Sequence, residues 1–251
     1  MSAHPRALAF DQAVDVYEEA RPESPEEAVR WLAEHAALGP GATVLDLAAG
    51  TGKLTRRLVG TGARVLAVEP LPGMRARLER LVPEAEALDG TAEQIPVEDG
   101  IADLVTVGQA IHWFRLDEAL REIHRVLRPG GTLALLSNRR AAGPVDDAVA
   151  GVLRPLRGDT PGRENTRWRE AVGESRLFGP LEQHEFAWDE EMDRERIVKR
   201  ALSISFVAAM TPVQQEEVAA QIREALAGLS EPLVVPHRTE VFTSLRQTGA
   251  P

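Results

Sequence analysis

The sequence predicts an α/β fold, a mostly parallel sheet with helices on both faces, and three observations carry that prediction. Short apolar runs alternate with helical patterns from residue 43 to residue 137, as successive strand and helix units do. Residues 44 to 55, Val-Leu-Asp-Leu-Ala-Ala-Gly-Thr-Gly-Lys-Leu-Thr, join a strand buried on both faces to a glycine turn and a helix start. Right-handed crossovers then bring Asp46, Glu69, the 89 to 93 turn and Gln109 to one edge, at the C-termini of the strands.

Taken in order, Met1 to Ala9 reads as a loose arm, and Phe10 to Ala20 as a short helix with Phe10, Val14 and Tyr17 on one side. Ser24-Pro-Glu-Glu27 has the form of a capping box with Pro at the first helical position. Ala28, Val29, Leu32, Ala33 and Ala36 recur behind it at helical spacing, and Gly39-Pro-Gly41 stops the run. Strands are predicted at 43 to 47, 64 to 68, 85 to 88, 102 to 107 and 132 to 137, with helices at 53 to 59, 72 to 81 and 117 to 127. Beyond Asn138 the signal weakens. Gly, Pro and Arg crowd residues 139 to 180, with short helical patterns at 145 to 153 and 164 to 172. Leu181 to Trp188 alternates as a strand, 194 to 209 carries a helical stripe, Thr211-Pro212 caps a helix to Ala227, and Arg238 to Leu245 is the closing strand.

The glycine corner discriminates among nucleotide-type ligands. A phosphate-cradling loop requires Gly where Leu47 stands and Ser or Thr where Leu54 stands, so Lys53 is a poor phosphate ligand. A dinucleotide fingerprint requires a third Gly where Thr55 stands, and Asp46 would set a carboxylate beside a pyrophosphate. A cationic cofactor without phosphate suits Asp46 better, approached directly or through water, while Gly50 and Gly52 allow close backbone approach. Glu69 ends the next strand, where a carboxylate can accept hydrogen bonds from a ribose diol.

Six blocks in order carry a resemblance: Leu45-Asp-Leu-Ala-Ala-Gly-Thr-Gly52, Val68-Glu-Pro70, Gly90-Thr-Ala-Glu93, Asp103-Leu-Val105, Gln109-Ala-Ile-His-Trp-Phe114 and Arg125-Val-Leu-Arg-Pro-Gly-Gly131. On these the chain resembles the class I methyltransferases that use S-adenosyl-L-methionine (SAM). Ala48 departs from the family's more frequent Gly. The resemblance implies a Rossmann-like doubly wound sheet with an antiparallel last strand beside strand five. It also implies SAM as cofactor and S-adenosylhomocysteine (SAH) as product. Residues 1 to 40 would form an N-terminal cover, 41 to 138 the SAM-binding core, and 139 to 251 the substrate lid and final strands of the same domain.

Site residues follow from the same resemblance together with the chemistry of the side chains. Tyr17 and Arg21 would cover the cofactor, with Arg21 gripping its carboxylate. Asp46, Ala48, Gly50, Gly52 and Glu69 would form the corner, and Pro70 and Met74 would pack on adenine. The backbone of Thr91 and Ala92 would border the adenine edge, with Glu93 as the second choice. Gln109 would lie near the transferred methyl, beside Trp113 or Phe114 facing the sulfonium. His112 is the candidate general base for an acceptor. Ser203, Ser205, Phe206 and Met210 are candidates for the acceptor pocket.

Composition narrows the partners. Without cysteine there is no disulfide, thiolate metal site or Cys nucleophile, and the six histidines lack metal-site spacing. A formal charge of −10, without a basic run, disfavours a nucleic-acid substrate. No apolar run reaches spanning length, so no membrane partner and a cytoplasmic location are expected. A methyl transfer to O, N or C of a small organic acceptor is the leading reading. A non-catalytic SAM-binding module and a SAM-bound enzyme of non-methylating rearrangement are the alternatives, and a nicotinamide oxidoreductase is the remote one.

Overall fold

The computed structural model describes residues 23–157 and 167–249, apart from the Ser205 side chain. The predicted 10 to 20 helix, with Tyr17 and Arg21, lies outside the described residues. Helix α1 (Glu26–His35) opens the described chain. Pro25, not Ser24, is its N-cap, and no side chain caps it. The amides of Ala28 and Val29 donate to the Pro25 carbonyl at 3.1 and 3.3 Å. The capping box therefore does not form; Glu26 and Glu27 in the first turn face the helix dipole instead.

Strands β1 (Thr43–Leu47), β2 (Arg64–Val68), β3 (Glu86–Leu88) and β4 (Ala102–Gly108) are linked by helices α2 (Thr55–Val59) and α3 (Pro72–Leu81). Helix α4 (Leu116–Val126) precedes β5 (Leu127–Arg140). After β5 come α5 (Pro144–Leu153), α6 (Arg167–Ser175), β6 (Glu182–Met192), α7 (Arg194–Leu202), α8 (Ser205–Ala208), α9 (Pro212–Leu226) and β7 (Leu233–Leu245). The strands form one seven-stranded sheet in the order β3-β2-β1-β4-β5-β7-β6. The first five are parallel, and β7 runs antiparallel to both β5 and β6. This is the Rossmann-like arrangement with its antiparallel close. Val44 to Leu47 and Val65 to Val68 are buried without alternation, as strands covered by helices on both faces must be.

Chain order reverses between β1 and β4, so their C-terminal ends open a crevice at the switch point. One face of the sheet packs on α4, through Leu120 and Ile123, and on Val172 of α6. The other packs on α1 and α2, through Leu32 and Leu58. A third core belongs to the C-terminal portion that the sequence reading expects to form the lid. Val149 of α5, Ile197 of α7, Ile222 of α9 and the strand-end residues Met192, Leu233 and Val235 pack together there.

The ends of β5, β6 and β7 run beyond their predicted limits because the three strands pair continuously out to the lid, with Arg140 opposite His237 and Trp188 opposite His237 from the other side. The predicted helix over 194 to 209 breaks after Leu202. Ser203 donates its hydroxyl to the Arg200 carbonyl at 2.8 Å and ends the turn. Thr211 does cap α9, in a reciprocal box with Gln214.

Candidate active site

The crevice is built on Asp46, which is 1% exposed. Its two carboxylate oxygens accept from Thr55 Oγ1 at 2.7 Å and from Thr106 Oγ1 at 2.8 Å. The side chain expected to meet a cationic guest is thus turned inward, tying β1 to the start of α2 and to β4. Burial pushes its carboxyl up to about 6, against the two hydroxyl bonds that lower it.

The turn after β1 holds three left-handed residues, Ala48 (φ 52°), Gly50 (φ 60°) and Gly52 (φ 86°). The two glycines serve different ends. A Cβ on Gly50 would meet nothing within 4 Å, so that residue faces open crevice. A Cβ on Gly52 would come within 2.9 Å of Val82 Cγ2, so it permits the turn to pack on the end of α3. Ala48 explains the family's preference for Gly at its position, because an L-residue is strained at that φ.

Glu69, 4% exposed, is the hinge of the corner. Its Oε2 accepts from the Gly50 amide at 2.8 Å and its Oε1 from the Leu71 amide at 2.9 Å. The carboxylate therefore fixes the glycine turn at the β2 terminus.

Around this corner the remaining predicted residues are spread unevenly. Pro70 is half-buried beside Glu69, whereas Met74 is 3% exposed and packed beneath. The Thr91 amide is taken by the Gln94 carbonyl at 3.3 Å, and Ala92 is packed in the main core. Glu93 accepts from the Arg115 amide at 2.9 Å and so holds the turn that leads into α4. Gln109, at the end of β4, has φ 64° and donates its amide to the Leu136 carbonyl at 2.9 Å. Two non-glycine residues in the left-handed region, Ala48 and Gln109, thus stand at the ends of neighbouring strands. Such strain clusters at functional sites.

His112 is exposed on a 3-10 turn over Ile111–Trp113, and its ring lies 4.7 Å from that of Trp113. Trp113 and Phe114 pack against the main core. A cleft runs from Gln109 and His112 across Ser137 and Arg139 to Glu240, walled by Trp168 and Phe242. Ser203 is spent on ending α7, and Phe206 and Met210 pack on the lid core, away from that cleft's lining. Arg139, Trp168, Glu240 and Phe242 carry no motif. Alternation of Ser137 and Arg139 along a strand was the available signal, and their partners on β7 and α6 had none.

A family model described as a methyltransferase domain matches residues 45–135. An uncharacterized methyltransferase of Mycobacterium tuberculosis is 38% identical over 221 residues, spanning 88% of this chain and 86% of that protein. An uncharacterized methyltransferase-like protein of Schizosaccharomyces pombe is 33% identical over 217 residues, 86% of this chain and 84% of that one. Among solved structures, phosphoethanolamine N-methyltransferase 2 of Haemonchus contortus, solved with SAM, superimposes with a TM-score of 0.57 at 17% identity. The match covers 97% of this chain and 60% of that one, and is a likeness of fold. On the sequence matches and the geometry together, the chain belongs to the methyltransferase domain family and is a SAM-dependent methyltransferase that releases SAH.

Proposed function

We propose that the protein methylates an O, N or C atom of a small organic acceptor held in the cleft beside the SAM corner. The observation that carries this reading is the position of Gln109. It lies at the end of β4, adjoining the β1 turn on one side and lining the polar cleft on the other. The corner suits the cofactor: Gly50 faces open space and Glu69 sets a carboxylate at the β2 terminus, where a ribose diol would lie. Ala48, Gly50, Pro70 and Gln109 would line the cofactor, and Asp46, Gly52 and Met74 would support them from behind. Thr91 and Ala92 would border adenine by shape, and Tyr17 and Arg21 would act as the cover.

When bound, SAM supplies a methyl group on a positive sulfur, already activated for transfer. The chain therefore has to align the acceptor, exclude water and, for an acceptor that must lose a proton, take it up. His112 has the chemistry for that proton and lies in the cleft lining. The acidic balance of −10 supports a small acceptor over nucleic acid. Among the described residues no helix is long and apolar enough to cross a membrane.

Calorimetry with SAM and SAH, followed by mass spectrometry of a small-molecule library incubated with SAM, tests the proposal. One added methyl on an acceptor is the expected result. Strong SAM binding without any methylated small molecule, alongside methylation of RNA or protein, would overturn it. For His112→Ala, loss of the acidic limb of the pH–rate profile is expected; an unchanged profile assigns His112 to packing.

A further inference from the structure

The far wall of the cleft, away from the cofactor corner, is a charged patch on the face shared by β5, β7 and α6. Glu240 is opposite Ser137, and Arg139 is opposite Arg238, so all four project from one face of the sheet. Arg139 Nε lies 2.8 Å from Glu240 Oε2, and Arg169 Nη2 lies 3.8 Å from Glu240 Oε1. Arg238 is engaged elsewhere, donating to Glu185 at 3.0 Å. Two guanidinium groups thus converge on one carboxylate and leave the patch with one positive charge, in a chain whose formal charge is −10.

The geometry of these contacts is incomplete. Arg139 Nε, Arg169 Nε and Glu240 Oε2 are all buried, and none makes an aligned hydrogen bond. The 2.8 Å approach of Arg139 to Glu240 is therefore a contact of charges with the N–H aimed elsewhere. The Nε atoms are closed off, but the Arg139 and Arg169 side chains are 37% and 36% exposed, so an incoming polar group meets the open part of each guanidinium. Two of the three are donors, and Glu240 already faces two cations. A group that accepts hydrogen bonds and carries one negative charge satisfies the patch, whereas an amine would add a third cation.

Flat apolar walls adjoin it. The Trp168 and Phe242 rings meet edge to face at 5.1 Å, and the Arg169 guanidinium lies 4.4 Å above the Phe242 ring. From these walls the cleft leads to His112 and Gln109.

We infer that Arg139 and Arg169, held by Glu240, form a carboxylate subsite, so that the acceptor is an organic acid with a flat apolar body. Its carboxylate sits between the two guanidinium groups and its body rests on Trp168 and Phe242. Arg139 and Arg169 are specificity-determining residues in this arrangement, with no part in the transfer itself. The inference rests on the cleft being the acceptor site.

The test uses the full chain and three probes of one shape, benzoate, benzamide and benzylamine, titrated by ligand-observed NMR with and without saturating SAH. Benzoate is expected to bind at least tenfold more tightly than benzamide, and benzylamine more weakly still. Arg139→Gln should remove the preference for benzoate while leaving benzamide unchanged. Glu240→Gln, which deletes the competing carboxylate, should tighten benzoate severalfold. Equal binding of benzoate and benzamide to the unaltered protein would overturn the inference, as would a preference for benzylamine, and that comparison stands even if a variant misfolds. Calorimetry of SAH alone reports separately on the cofactor site, so a failed carboxylate subsite is distinguishable from a failed methyltransferase reading.

Discussion

Asp46 carries a charge where the fold gives it no solvent, and its cost depends on pH. Its carboxyl is raised by burial from 3.8 to about 6, so the folded state holds the proton more tightly than the unfolded chain. Stability from that proton is fully present below 3.8 and is lost as pH rises through about 6. Asp46→Asn carries no charge to bury. The stability of this variant relative to the unaltered protein should therefore increase by about 1 kcal/mol between pH 5 and pH 8. Urea denaturation at the two pH values measures it, and a difference that does not change with pH would place the ionisation elsewhere. Glu69 has the opposite character, a carboxylate stabilised by amides and presented at a strand end. Glu69→Ala should weaken SAM by about 1.5 to 3 kcal/mol through lost charge-assisted bonds and a loosened Gly50 turn. Calorimetry checks it, and unaltered affinity would remove Glu69 from the cofactor site.

At the scale of elements, the C-terminal helices are fastened to the sheet by a partly buried charge cluster. Glu190 of β6 receives both Arg200 Nη atoms from α7 at 2.8 and 2.9 Å, and His237 Nε2 of β7 approaches it to 3.1 Å. Burial would raise the Glu190 carboxyl, but the close approach of His237 and the bonds from Arg200 prevail and hold it at about 2. A depressed carboxyl contributes stability that is present above 4.5 and lost as pH falls through about 2. Arg200→Met strips the bidentate partner from a partly buried carboxylate that keeps Arg196 Nη2 at 3.1 Å, and should cost about 2 kcal/mol. Chemical denaturation at pH 7 measures the loss; an effect below about 0.5 kcal/mol would show the pair to be solvated. These elements are also where sequence and structure part. Parallel strands β1, β2 and β4 were readable because burial on both faces leaves continuous apolar runs. The lengths of β5, β6 and β7 were not, since Glu190, His237 and Arg140 are polar and owe their strand geometry to partners distant in sequence.

On the scale of the whole molecule, β5 joins the parallel strands to the antiparallel C-terminal portion. Its residues pair with β4 on one side and with β7 on the other, and β6 follows β7. We propose that residues 41 to 138 and 139 to 251 therefore fold as one unit, since separating them exposes a long unpaired strand edge. Far-UV circular dichroism and tryptophan fluorescence should report one coincident thermal transition, raised by SAH as a unit. Two transitions, with SAH raising one, would show the lid to be a separate domain.

What the sequence by itself determined is the parallel core and the corner that names the cofactor. Those signals are local: an apolar run, glycines within a few residues, an acid at a strand end. Tertiary structure alone decided that Asp46 is buried against Thr55 and Thr106, and that Arg139, Trp168, Glu240 and Phe242 meet in one cleft. The physical reason is register. Which residues of β5 and β7 face each other depends on antiparallel pairing across about a hundred residues of intervening chain. No local pattern encodes it.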